Sequence, residues 1–315
     1  MTDSDTPIII THSDISNFLT CRRKWYYDYV LDFRSPEKLT GPLALGTRVH
    51  AALEALYLGE TDDPVAWIEK KGREELERLD FQPNTKPWDY SQMYEDMIVG
   101  RNCITLYMEW LEETNADAHF RTVSVEEKVE VPILDGRVVL RGKVDLLQED
   151  ITNGLMCSTD FKTTADWGGG LREQLERSYQ HWCYLIALQH TYPDRTVECA
   201  QYTVIHKVKK IPAAAPKSPL VQRFTVPGTR RNIGTKTAQI ERIAMEMISL
   251  RDRTDPAVFY PSPGKACSWC DYKSPCEIAD ESSESALALL GSGKYVQGTR
   301  YDRYKDKEVG GTDNG

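Results

Sequence analysis

The chain has 315 residues, of which 40% are hydrophobic and 28% charged, and its net charge is -9. This is ordinary for a globular protein of one large or two small domains, and it excludes a strongly basic nucleic-acid coat, which meets phosphates with Lys and Arg. No apolar run reaches the roughly 20 residues of a membrane helix, and the acidic start lacks the order of a signal peptide, so a cytoplasmic protein with no membrane partner is expected.

Helical spacing begins at residue 12, capped by Ser13 or Asp14, with Ile15, Phe18 and Leu19 recurring on one face up to about residue 30. A second helix is predicted over Leu43–Leu58, carrying His50, Leu53 and Tyr57 on one side. Two more follow over 63–79 and 89–115, with a loop holding Pro83 and Pro87 between them. The period then changes to two. Val123, Val125, Glu127, Val129 and Val131 alternate as a strand, Asp135-Gly136 signals a hairpin, and a partner strand runs from Arg137 to about Gln148. Asn153-Gly154 turns the chain into a third strand over Leu155–Thr163. Gly168-Gly169-Gly170 is a break before a helix from Leu171 to His190. Strands over Val197–Val208 and Val221–Val226 flank a Pro- and Ala-rich loop at 211–219, and a helix covers 230–252. Beyond about residue 281, the apolar run Ala286–Leu290 apart, a weakly ordered tail is expected. The order of elements describes an α/β sandwich around a mixed sheet.

On the third strand, alternation puts Asp160 and Lys162 on one face, with Leu155, Cys157, Thr159 and Phe161 on the other. If the second and third strands pair through the short turn, Asp145 and Asp160 converge at one end of the sheet. Two carboxylates, the Phe161 carbonyl and water suit Mg²⁺, and Lys162 beside them would orient that water or stabilise charge on a phosphate. His50 as a further ligand would tilt the preference toward Mn²⁺. Glu127 lies on the apolar face of its strand, where it either reaches this site or is a partnered structural group.

Of eight cysteines, Cys103, Cys157, Cys183 and Cys199 sit singly among apolar residues and read as buried small side chains, not disulfides. Cys267, Cys270 and Cys276 form C-x2-C-x5-C, spaced to bind one metal centre. Three ligands are one short of the usual four, and spacing alone does not separate zinc from an iron–sulfur cluster. Local basic groups that could meet phosphates are Arg22, Arg23 and Lys24, and later Lys207, Lys209 and Lys210; a solvated face is the other reading. The aromatics after Cys21 could stack on unpaired bases or simply belong to the core. No G-x-x-x-x-G-K-[ST] phosphate loop is present, so unwinding would fall to a separate helicase or recombination partner.

Four motifs occur in order: Gly46-Thr47-Arg48-Val49-His50 on a helix, Gly142-Lys143-Val144-Asp145, Asp160-Phe161-Lys162-Thr163, and Gln180-His181-Trp182-Cys183-Tyr184. Together they resemble the PD-(D/E)xK nuclease superfamily, in its branch of RecB- and AddB-type domains and iron–sulfur CRISPR-associated exonucleases, some phage-encoded. The resemblance covers about residues 12–277. It implies a restriction-endonuclease-like core at 43–255 with a helical insertion near 60–118, an N-terminal segment at 1–42, a cluster segment at 256–280 and a tail at 281–315. It implies His50, Asp145, Asp160 and the Phe161 carbonyl as ligands of Mg²⁺ or Mn²⁺, Lys162 as the catalytic lysine, and Gln180 and Tyr184 as positioning groups. It also supplies Cys21 as the fourth ligand of a 4Fe–4S cluster that staples the two ends. The implied activity is exonucleolytic cleavage of single-stranded DNA or DNA ends in recombination or processing, by a chain that could also form a ring. The alternatives are a catalytically silent module that grips DNA or a partner, and a zinc-stapled recombination factor.

Overall fold

The computed structural model describes residues 6–36, 38–81, 85–166, 170–214, 218–228, 230–253 and 255–298. In chain order the elements are β1 (Ile8–Thr11), α1 (His12–Thr20), α2 (Arg22–Trp25), a π-helical turn (Tyr26–Val30), β2 (Phe33–Arg34), α3 (Pro42–Tyr57), α4 (Pro64–Leu79), α5 (Pro87–Thr114), β3 (Phe120–Ile133), β4 (Val138–Asp150) and β5 (Met156–Thr164). They continue with α6 (Gly170–Arg177), α7 (Tyr179–Thr191), β6 (Val197–His206), β7 (Val221–Pro227), α8 (Arg230–Arg251), α9 (Lys273–Ala279), α10 (Ser283–Leu290) and β8 (Val296–Gln297). Two compact units divide the chain: the first takes 1–37, 132–141 and 238–315, the second 38–131 and 142–237. No helix among the described residues is long and apolar enough to cross a membrane.

The second unit is an α/β body built on a mixed sheet in the order β3-β4-β5-β6-β7. β4 and β5 pair antiparallel, β5 and β6 parallel, β6 and β7 antiparallel. Alternation sorts the faces of the sheet. Leu146, Phe161 and Ile205 join Val49, Leu53, Cys103 and Tyr107 from α3 and α5 in one core, while Tyr202 and Val204 pack with Leu175 of α6. The predicted helix over 171–190 is broken at Ser178, whose extended backbone and side-chain oxygen, accepting from the Gln180 N–H at 3.1 Å, cap a new helix. Gly168 and Gly169, Pro83 and part of the 211–219 loop lie outside the described residues; Gly170 opens α6 and Pro87 opens α5. One reading of the cysteines is overturned. Cys157 and Cys199 are a disulfide, because parallel β5 and β6 place them side by side in register with 4.9 Å between Cα atoms. Cys103 and Cys183 are buried thiols, as expected.

In the first unit β1 pairs parallel with Val138–Arg141 of β4. This strand was not predicted, since four residues, Ile-Ile-Ile-Thr, are too few to show a period. The cap of α1 is Thr11, not Ser13 or Asp14. Its hydroxyl accepts from the Asp14 N–H at 3.3 Å, and Asp14 Oδ2 accepts from the Thr11 N–H at 3.2 Å, a capping box worth about 1 kcal/mol. The expected weak order after residue 281 does not hold up to residue 298. α10 buries Leu290 fully, Tyr295 stacks on Tyr272 with ring centroids 5.7 Å apart, and β8 pairs with β2. Residues 299–315 lie outside the described residues.

Candidate active site

Pairing of β4 with β5 stops at Leu146↔Thr159, one residue before Asp145 and Asp160. Both carboxylates therefore sit where the strands part. Phe161 turns into the helical core against Tyr57 and Tyr107, at 6.0 and 5.7 Å between ring centroids. Alternation then sends Asp160 and Lys162 the other way, and Lys162 Nζ lies 2.5 Å from Asp160 Oδ2. The Phe161 N–H donates to Asp145 Oδ2 at 2.9 Å. From α3, where Val49, Ala52 and Leu53 are buried, His50 brings Nδ1 to 3.3 Å from the same oxygen.

A residue the sequence did not single out joins them. Glu126 on β3 offers a carboxylate oxygen that lies, with ligand atoms of His50 and Asp145, in a set all within 4.8 Å of one another. Its φ of 53° is left-handed, which an L-residue in a strand rarely adopts. One such residue disturbs the alternation. Glu127, the residue on the predicted inward face, is tied up instead, accepting from Tyr192 Oη at 2.7 Å and from the Ser124 hydroxyl. Period-two reasoning passes over Glu126 because it sits where the period fails. Two adjacent glutamates in an otherwise apolar alternation were the available signal.

The charges are arranged in opposition. Burial disfavours the His50 imidazolium, but the Asp145 carboxylate outweighs it and raises the His50 pKa. Burial likewise works against ionised Asp145, yet His50, Lys162 and the Phe161 N–H hold its carboxyl below the usual range. Asp160 goes the other way. Burial pushes it up to about 6, with Lys162 offsetting part of that rise and Asp145 adding to it. Its Oδ2 is out of solvent and, the Lys162 ion pair aside, has no hydrogen-bond partner among the described residues. An imidazole nitrogen, clustered carboxylates and an underused buried oxygen suit a small divalent cation with oxygen preference, Mg²⁺ or Mn²⁺.

A second chain of contacts positions Asp160. Gln180, the first residues of α7 having been set by Ser178, donates through Nε2 to Asp160 Oδ1 at 2.6 Å and to Tyr184 Oη at 3.2 Å. The Tyr184 ring in turn lies over Gly142, where a Cβ would fall 2.9 Å from ring carbons. The glycine of Gly142-x-x-Asp145 is thus required by the tyrosine of Gln180-x-x-x-Tyr184.

The cysteines belong to the first unit. Cys21, Cys270 and Cys276 are half-buried and Cys267 is exposed. Burial raises the Cys270 and Cys276 thiols; Lys24 opposes this at Cys270 and Arg23 at Cys276, while Cys21 adds to the rise at both. Of the predicted phosphate contacts, Arg22 pairs with Glu246 at 2.6 Å and stacks over Phe18, and Arg23 pairs with Asp280 at 2.7 Å and donates to the Cys276 carbonyl at 3.0 Å. Both serve the packing of their own unit. Trp25 and Tyr27 are core, and Tyr26 stacks on Phe259 at 3.9 Å. In the second unit Lys209 pairs with Glu95 at 2.8 Å, Lys210 is exposed, and the Lys207 N–H donates to the Thr164 carbonyl at 2.7 Å, two residues beyond Lys162 on β5.

Residues 9–277 match the PD-(D/E)XK nuclease superfamily, and the chain belongs to that superfamily. Two solved structures are similar at low identity. The protein SSO0001 shares 14% identity over 85% of each chain with a TM-score of 0.38. A candidate exonuclease from Eubacterium rectale shares 9% identity over 83% of this chain and 86% of its own, with a TM-score of 0.43. No curated protein matches this chain. Membership rests on the family match and not on these two likenesses.

Proposed function

We propose that the protein is a metal-dependent deoxyribonuclease that degrades single-stranded DNA or duplex ends as an exonuclease. The observation that carries this reading is the meeting of His50, Glu126 and Asp145 beside the Asp160–Lys162 pair at the parting of two strands. His50, Glu126, Asp145, Asp160 and the Phe161 carbonyl would hold Mg²⁺ or Mn²⁺, which when bound polarises a phosphodiester and activates water. The Lys162 side chain would lie next to the scissile phosphate, where it would stabilise the negative charge that grows during attack. Gln180 fixes Asp160 by one oxygen and leaves the other for the site. Tyr184 and Gly142 keep Gln180 in place.

A 4Fe–4S cluster on Cys21, Cys267, Cys270 and Cys276 belongs to the same reading. Its support is the C-x2-C-x5-C spacing and the mutual electrostatic reach of Cys21, Cys270 and Cys276. Iron and sulfide analysis of anaerobically purified protein distinguishes it from zinc.

The test is degradation of end-labelled single-stranded DNA with Mn²⁺ or Mg²⁺, beside Lys162→Ala and Asp160→Asn. Each variant is expected to lose about 100-fold or more in rate, the scale of removing a group that stabilises transition-state charge. Native protein inactive on single-stranded, duplex and branched DNA would turn the reading over to a silent DNA- or partner-binding module.

A further inference from the structure

One cation at the site has no role in the reading above. Lys143 stands two residues before Asp145 on β4, so strand alternation carries both to the same side. Its ammonium pairs with Glu126, the same carboxylate that stands among the candidate metal ligands. Glu126 is mostly buried, with 16% of its side chain exposed, whereas Lys143 is 34% exposed. Burial raises the Glu126 carboxyl, and Lys143 opposes that rise. A dication at Glu126 would weaken its pair with Lys143, because the two positive charges repel at the distances involved. The lysine is the one free to leave, having a four-carbon stem that reaches solvent.

We propose that Lys143 is a positioning residue that holds Glu126 ready in the metal-free protein, gives it up when the cation binds, and then meets a non-bridging oxygen of the substrate's phosphate backbone. This rests on the reading of the site as a divalent-metal nuclease centre.

The experiment is calorimetric titration of Mn²⁺ into the full-length protein without DNA, comparing native, Lys143→Met and Lys143→Arg. Methionine keeps most of the stem and removes the competing charge. Lys143→Met is expected to bind Mn²⁺ about threefold or more tightly than native, yet to raise KM for DNA about 10-fold with kcat nearly unchanged. The salt dependence of its kcat/KM should flatten by about one unit of log–log slope, as one phosphate contact is lost. Lys143→Arg should stay close to native in both assays, and it serves as the test of charge if the methionine variant melts early. Native protein that binds Mn²⁺ while Lys143→Met binds it no more tightly would overturn this inference and leave the nuclease reading standing. Native protein that binds no Mn²⁺ would end both. An arginine variant that behaves like methionine would also sink the exchange of partners.

Discussion

The carboxylate centre and the cysteine region hold their reactive groups by different means. In the second unit each side chain is fixed by a long regular element: His50 by α3, Glu126 by β3, Asp145 by β4, Asp160 and Lys162 by β5, Gln180 and Tyr184 by α7. Opposite charges are already paired, so the site is organised before any ion arrives. In the first unit Cys21 lies between α1 and α2, Cys267 and Cys270 just before α9, and Cys276 within that short helix. Cys270 packs against a small cluster of rings, Tyr27, Tyr272 and Tyr295 with Leu290. The Tyr272 hydroxyl donates to Asp28 at 2.7 Å. If these thiols hold the proposed metal group, its binding would add to the stability of this region. A sheet supplies position by its hydrogen-bonded geometry; a cysteine region supplies ligands and gains position when they are bound.

Three outcomes break or sharpen that contrast. The largest is expected from Cys276→Ser. On the proposed cluster it should abolish absorbance near 400 nm and lower the melting of the first unit by about 10 °C or more, since metal binding there would be folding energy. Mn²⁺ affinity at the carboxylate centre should change little, and equal losses in both would mean that the contrast is false. Next, Gln180→Ala should cost about 10- to 100-fold in nuclease rate, the usual range for a group that orients a ligand, with the visible spectrum intact. The smallest effect concerns His181 on α7, fully buried beside the Tyr202 hydroxyl at 3.3 Å. Burial, with the charge of Lys236 assisting, lowers its pKa to about 4 from an ordinary 6.5. Because the folded value lies below the unfolded one, its contribution is complete above pH 6.5 and is lost as pH falls toward 4. The loss amounts to at most about 3 kcal/mol. Urea unfolding from pH 7 to pH 4 should show native protein losing more stability than His181→Gln, and parallel curves would remove the assignment.

Most of this was legible in the sequence where periodicity is long. Strands β4 and β5 and the helices around them follow from alternation and caps, and the motif residues His50, Asp145, Asp160, Lys162, Gln180 and Tyr184 converge in the second unit. What escaped did so for local reasons. Glu126 depends on one left-handed residue inside a strand, and β1 is too short to display a pattern. The Cys157–Cys199 bridge needed the parallel register of β5 with β6, which joins positions 42 residues apart. Arg22 and Arg23 read as exposed charge because their partners, Glu246 and Asp280, are far along the chain.

The interleaving of the two units has a consequence in time. Every residue of the carboxylate centre from His50 to Tyr184 has left the ribosome well before Cys267 is made. At about 5–20 residues per second, Cys21 waits on the order of 10 to 50 seconds for Cys276. During that interval the whole second unit is made, while the first still lacks Cys267, Cys270 and Cys276. The order of synthesis itself thus gives the cell a window in which oxygen, stray metal or a chaperone can act on Cys21 alone.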